Sequence, residues 1–130
     1  MDTNQSKVTC CMALLAASLV LSPKGLAEKK NPIDSSEESV SKGQMIYKKN
    51  CQMCHGEKGM GEGPAGQRMK PKPADFTNKS SMDKLNDGDL FQMITKGENP
   101  MPAFEHKLNE TERWHVVNFI RTFAKNAPAN

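Results

Sequence analysis

Hydrophobic positions along the chain recur at helical spacing and gather into three stretches. In the first, Val40, Gly43, Ile46 and Tyr47 follow one another towards Cys51, with Ser35 or Ser36 placed to cap the helix and Glu37 and Glu38 suited to its N-terminal dipole. The second spans Asp87–Lys96, with Leu90, Phe91, Met93 and Ile94 turned inward and Gly97 as a stop. The third opens on Asn109-Glu110-Thr111-Glu112, which has the form of a capping box, and runs to about Lys125. Its inward set is Trp114, Val117 and Ile120, joined by Val116, Phe119 and Phe123. A short helical turn is expected over Ser80–Leu85. No alternating run is long enough for a strand, so the pattern predicts an all-α domain.

Between these stretches the chain is irregular. Gly56–Asn78 holds five glycines and three prolines, and Glu98–Lys107 is stiffened by Pro100 and Pro102. Gly43 costs about 1 kcal/mol against Ala in a helix, and close approach by another helix is the natural compensation. Residues 28–36 are charged, contain Pro32 and lack a hydrophobic period, which suggests a flexible lead-in.

The N-terminus adds an address. Lys7, the apolar run from Cys10 to Leu21 and the small residues Gly25 and Ala27 form an export signal over 1–27 with cleavage near Ala27. A bilayer span takes about 20 apolar residues, so the run is short for a stable membrane anchor. Cys10 and Cys11 stand at the start of the apolar run rather than after it and serve as small apolar residues of the signal. Cleavage removes Lys7, Lys24 and Asp2, which lowers the formal charge from +3 to +2. No basic block remains to grip nucleic acid. Aromatic residues make up only 5% of the 130 residues, so the remaining domain buries a marginal core unless something staples it.

The candidate staple is Cys51-Gln52-Met53-Cys54-His55, the pattern of covalent haem attachment. On a helical turn, residues i, i+3 and i+4 share a face, so two thioethers from Cys51 and Cys54 and the Nε2 of His55 are directed at one cofactor. Structural zinc needs four ligands, and the only other cysteines lie in the expected signal. A thioredoxin-like dithiol needs a preceding strand, whereas the residues before Cys51 have helical spacing. Both thiols are used by the haem, which leaves no disulfide.

The opposite axial position calls for a second ligand. Met45 and Met93 fall on helices and read as core filler, Met53 lies inside the attachment turn, and Met60 and Met69 are too close to it. Met101, between Pro100 and Pro102, sits on a loop stiff enough to present a thioether, and Met82 ranks next. His106 and His115 are expected to be solvated, and Trp114 to be core.

With these residues in place, the chain resembles the single-haem class I cytochromes c of bacteria over about Val40–Lys125. The likeness rests on Gly43 and Tyr47, the Cys51–His55 motif with Gly56, Gly63-Pro64, Met101-Pro102-Ala103-Phe104 and the Trp114–Phe123 helix. The resemblance implies a cytochrome c-like fold of three main helices and loops around one haem c, with a domain over 37–130. It implies that Gly43 and Tyr47 on the first helix meet Val116 and Phe119 on the last. It further implies that a proline carbonyl, here Pro64, accepts from the Nδ1–H of His55. Arg68 and Lys72 are candidates for the propionates. The function implied is periplasmic electron transfer by a monomer with His55 and Met101 on iron, meeting redox partners such as a dehydrogenase or terminal oxidase. Lys48, Lys49, Lys58, Lys70 and Lys72 would form a basic rim for an acidic partner. Alternatives are a haem-based sensor or gas-binding protein, or a haem subunit of a larger dehydrogenase or oxidase complex; nothing points to an enzyme's acid–base pair.

Overall fold

The computed structural model describes residues 29–127. The expected signal, with Cys10 and Cys11, lies outside the described residues. Five helices follow in order: α1 Glu37–Asn50, α2 Gln52–His55, α3 Lys79–Met82, α4 Asp87–Lys96 and α5 Glu110–Asn126, with a 3-10 turn at Gly66–Arg68. Among the described residues there is no strand, only an isolated bridge between Glu98 and Met101. The architecture is all-α, as the hydrophobic pattern predicts.

Local chemistry sets the helix ends. The Ser36 hydroxyl accepts from the Ser39 N–H at the start of α1, whose first turn carries Glu37 and Glu38 and whose last carries Lys48 and Lys49. Complete capping boxes start α4, through Asn86 and Asp89, and α5, through Asn109 and Glu112. Each box satisfies N–H groups that a bare helix start would leave unpaired. Gly97 ends α4 with its N–H on the Met93 carbonyl.

The main packing event is the crossing of α1 over α5. The buried face of α1 is Ser39, Gly43 and Tyr47, spaced four apart. At Gly43 the two backbones are so close that a Cβ there would run into the His115 carbonyl. Tyr47 meets Phe119 edge-on at 5.1 Å. Phe119 thus takes the place that the family likeness implies, while beside Gly43 it is the His115 backbone, rather than the Val116 side chain, that closes the crossing. Phe91 of α4 stacks on Trp114 of α5 at 4.0 Å. Arg121 donates to the Asp87 carboxylate and to the carbonyls of Met82 and Leu85, which fastens α3 and the start of α4 to α5.

Two expectations are corrected. Met45 is 64% exposed and Met93 38%, so neither fills the core. Both fall outside their helix's buried stripe, which in α4 consists of Gly88, Leu90, Phe91, Ile94 and Thr95. The lead-in is also laid down by specific contacts. Lys29 sits over the rings of Phe91 and Trp114, Asn31 donates to the Asn118 Oδ1 at 2.8 Å, and Ile33 packs on the core. Composition conceals this because the partners are far along the chain. Among the described residues, no helix is long and apolar enough to cross a membrane.

Candidate functional site

The last turn of α1 delivers the chain into the attachment motif. Cys51 donates its N–H to the Tyr47 carbonyl, and its own carbonyl accepts from Cys54 and His55 at 3.1 and 2.9 Å. Cys51, Cys54 and His55 therefore occupy one helical turn. Both cysteines are free and half-buried, and His55 is buried. The Tyr47 hydroxyl donates to the Gly56 carbonyl at 2.8 Å, which fixes the exit from the turn.

The loop that follows folds back beneath the motif. Gly61 donates to the His55 carbonyl at 2.8 Å and Ala65 to that of Met53 at 3.0 Å. The Glu62 carboxylate accepts from the backbone N–H groups of Lys58 and Met60 at 2.6 and 2.8 Å. Burial pushes the Glu62 carboxyl up, but these N–H groups, its own N–H and the Lys58 charge outweigh burial and hold it below the usual range.

Electrostatics separate the donors. Burial pushes the Cys51 thiol up to about 12, reinforced by Cys54 and eased slightly by Lys107. Burial also holds His55 below the ordinary imidazole value, against a smaller opposing effect from the Ala74 backbone. The ring is therefore neutral, with a lone pair available to a metal. Its Nδ1 is buried without a hydrogen-bond partner, and one face of the ring lies on Phe76 at 4.6 Å.

Met101 is half-buried and packs against the core. Its loop is anchored by reciprocal bonds between Glu98 and Met101 and by Phe104 and Glu105 donating to the carbonyls of Ile94 and Thr95. Met82 is 2% exposed and committed to the core. Met53 and Met60 are exposed, at 63% and 51%. Pro64 is exposed and receives no hydrogen bond from His55, which the Ala74 backbone faces instead. Arg68 and Lys72 are exposed as well. The His106 side chain is 92% exposed, whereas His115 is half-buried, with its Nδ1 2.8 Å from the Ser39 hydroxyl. His115 thus belongs to the helix crossing and not to a free outer face.

Sequence reasoning missed Glu62 and Phe76. The signal for Phe76 was present: an aromatic residue closing a proline-stiffened stretch, Pro71-Lys72-Pro73-Ala74-Asp75-Phe76, in an aromatic-poor loop. The donor set suits a haem c: two partly accessible thiols three residues apart, a buried, neutral imidazole, and a half-buried thioether.

Comparison with known proteins points the same way. The family described as cytochrome c oxidase, cbb3-type, subunit III matches residues 38–120. Cytochrome c6 of Petalonia fascia is 27% identical over 81 residues, covering 62% of this chain and 88% of the relative. Cytochrome c6 of Alaria esculenta is 31% identical over 83 residues, covering 64% and 90%. Among solved structures, a chain of the reducing HAO-like protein complex of Kuenenia stuttgartiensis superposes with a TM-score of 0.60 at 29% identity. That match covers 71% of this chain and spans 46% of the other.

Proposed function

Because the chain belongs to the cytochrome c family described as cbb3-type cytochrome c oxidase subunit III, we propose that it is a periplasmic electron shuttle with one haem c tethered through Cys51 and Cys54 and held axially by His55 and Met101. It is a class I c-type cytochrome and an electron carrier rather than an enzyme. The observation that carries the finer reading is the single turn that presents two half-buried free thiols and a buried, neutral imidazole together.

When bound, the haem supplies an iron that gains and loses one electron without bonding a substrate. The protein's own part is attachment and placement. Cys51 and Cys54 form the thioethers, and His55 offers its lone pair from a turn fixed by Tyr47 and Gly61. Met101 offers its sulfur from a loop bonded to the end of α4. A thioether ligand raises the potential relative to a second imidazole. Fixed ligands and a buried surround keep the site from reorganising as charge changes.

Partner contact is small and transient, as redox encounters are. Lys48, Lys49, Lys58, Lys70 and Lys72 are all exposed and supply the basic rim for an acidic partner. The protein works as a monomer exported by the signal at 1–27. A second reading, a haem subunit within a larger assembly, is favoured by the likeness to a chain of a complex that is about twice as long as the matched region.

The test is the absorption spectrum of the exported, purified chain, with haem retained on a denaturing gel. Low-spin ferric haem with a sulfur-to-iron band supports the shuttle. High-spin haem lacking that band would favour a sensor, and a colourless, folded protein would overturn the reading. N-terminal sequencing of the exported protein checks cleavage near Ala27.

A further inference from the structure

One of the few aromatic rings lies flat on the imidazole expected to bind iron. Phe76 and His55 stack with centroids 4.6 Å apart and planes inclined by 16°. Phe76 is itself buried, at 7% exposure. At this separation the imidazole cannot turn about its Cβ–Cγ bond without driving an edge into the phenyl face.

The stack is held from two sides. Phe76 donates its N–H to the Gly59 carbonyl at 2.7 Å, and Gly61 donates to the His55 carbonyl at 2.8 Å. Gly61 has φ +75°, and a Cβ there would lie 2.7 Å from the Pro73 carbonyl oxygen, so the two loops touch through backbone. Pro71 and Pro73 restrict the segment that carries Phe76. Behind the phenyl ring stands Phe123, with centroids 6.2 Å apart, and Phe123 packs on Tyr47 and Phe119 at the helix crossing. The phenyl ring is thus backed by the aromatic cluster at the helix crossing.

We propose that Phe76 is a positioning residue for His55: its face fixes the plane of the imidazole, and with it the orientation in which the ring meets the iron. The proposal rests on the reading of His55 as an axial ligand. It assigns to the Pro71–Phe76 segment the task of holding the histidine ring, which the family likeness would have given to Pro64. The plane of an axial imidazole sets how unpaired spin spreads over the porphyrin, so it can be measured apart from stability.

The test uses the full-length, exported holoprotein. In the ferric state, Phe76→Leu is expected to change the order of the haem-methyl proton resonances. Phe76→Tyr, which keeps a flat ring, preserves the order, as does Val117→Ala, a core truncation in α5. An unmoved order in Phe76→Leu, or the same change in all three variants, overturns the proposal. Should Phe76→Leu fail to hold haem, the ferrous wild type decides. Nuclear Overhauser contacts between the Phe76 and His55 rings support the stack, and their absence overturns it. A wild type without low-spin haem overturns the underlying reading as well, whereas a haem-bearing wild type insensitive at Phe76 overturns this proposal alone.

Discussion

Gly43→Ala separates packing from helix propensity because the two predict opposite signs. Propensity alone favours alanine at a mid-helix glycine by about 1 kcal/mol. The tertiary contact opposes it, since the new Cβ would run into the His115 carbonyl and lie 2.8 Å from the Phe119 Cβ. A backbone carbonyl within a 17-residue helix cannot rotate aside as a side chain can. Overpacking of a core costs about 1–3 kcal/mol, and an unyielding neighbour puts this site at the upper end. Setting about 3 kcal/mol of overpacking against about 1 kcal/mol of propensity leaves a net destabilisation of about 2 kcal/mol. For a domain of this size, that lowers the melting temperature by roughly 8–16 °C. Far-UV circular dichroism of the holoprotein, by heating and by guanidinium titration, reads the change. Gln44→Ala is the control, on the exposed face of the same helix, and should stay within about 0.5 kcal/mol of wild type. A Gly43→Ala protein as stable as wild type, or more so, would refute the close crossing.

Four further outcomes follow from other parts of the molecule. Met101→Ala should keep the haem attached but lose the sulfur-to-iron band and lower the potential, while Met82→Ala should leave the spectrum alone and cost about 2–5 kcal/mol of stability in denaturant titration; a reversed pattern would transfer the ligand to Met82. Asn31→Ala removes donors to the Asn118 Oδ1 and the Trp114 carbonyl, and its unfolding midpoint should fall by an amount equivalent to about 1 kcal/mol; an unchanged midpoint would mean that the lead-in contributes nothing to stability. Burial, helped by Lys42 and opposed by Glu38 and Glu112, holds His115 below its ordinary value of 6.5, so the unfolded chain binds more protons and the stability contributed above that value is lost as pH falls from it towards the folded value; His115→Gln should flatten this slope, and an identical slope in the variant would exclude His115 as its source. Charge reversal at Lys48 and Lys58 should slow reaction with an anionic redox partner at low salt and leave little difference at high salt; equal rates at low salt would dismiss the basic rim.

The local parts of this protein are written in short stretches of its sequence. The boundaries of α4 and the caps at Ser36 and Asn109 depend on residues within a turn of one another, and so does the Cys51–His55 attachment turn. Hydrophobic spacing likewise marks Trp114, Val117 and Ile120 as core, because a helix turns its residues at a constant angle. Composition misplaces Met45 and Met93, since an apolar, flexible side chain sits on either side of the stripe edge at little cost.

Contacts between distant segments were decided only in three dimensions. Asn31 with Asn118, Ser39 with His115 and Phe76 with His55 join positions whose separation no local pattern encodes. The sequence by itself determined which atoms are offered to a haem, because that chemistry needs two thiols and an imidazole on one helical turn. The tertiary structure decided what surrounds the imidazole: the Ala74 backbone rather than the exposed Pro64, and a phenyl ring held in place by two loops and backed by the α1–α5 crossing. A ligand's identity is fixed within a few residues, whereas its orientation depends on packing, and packing is a property of the whole fold.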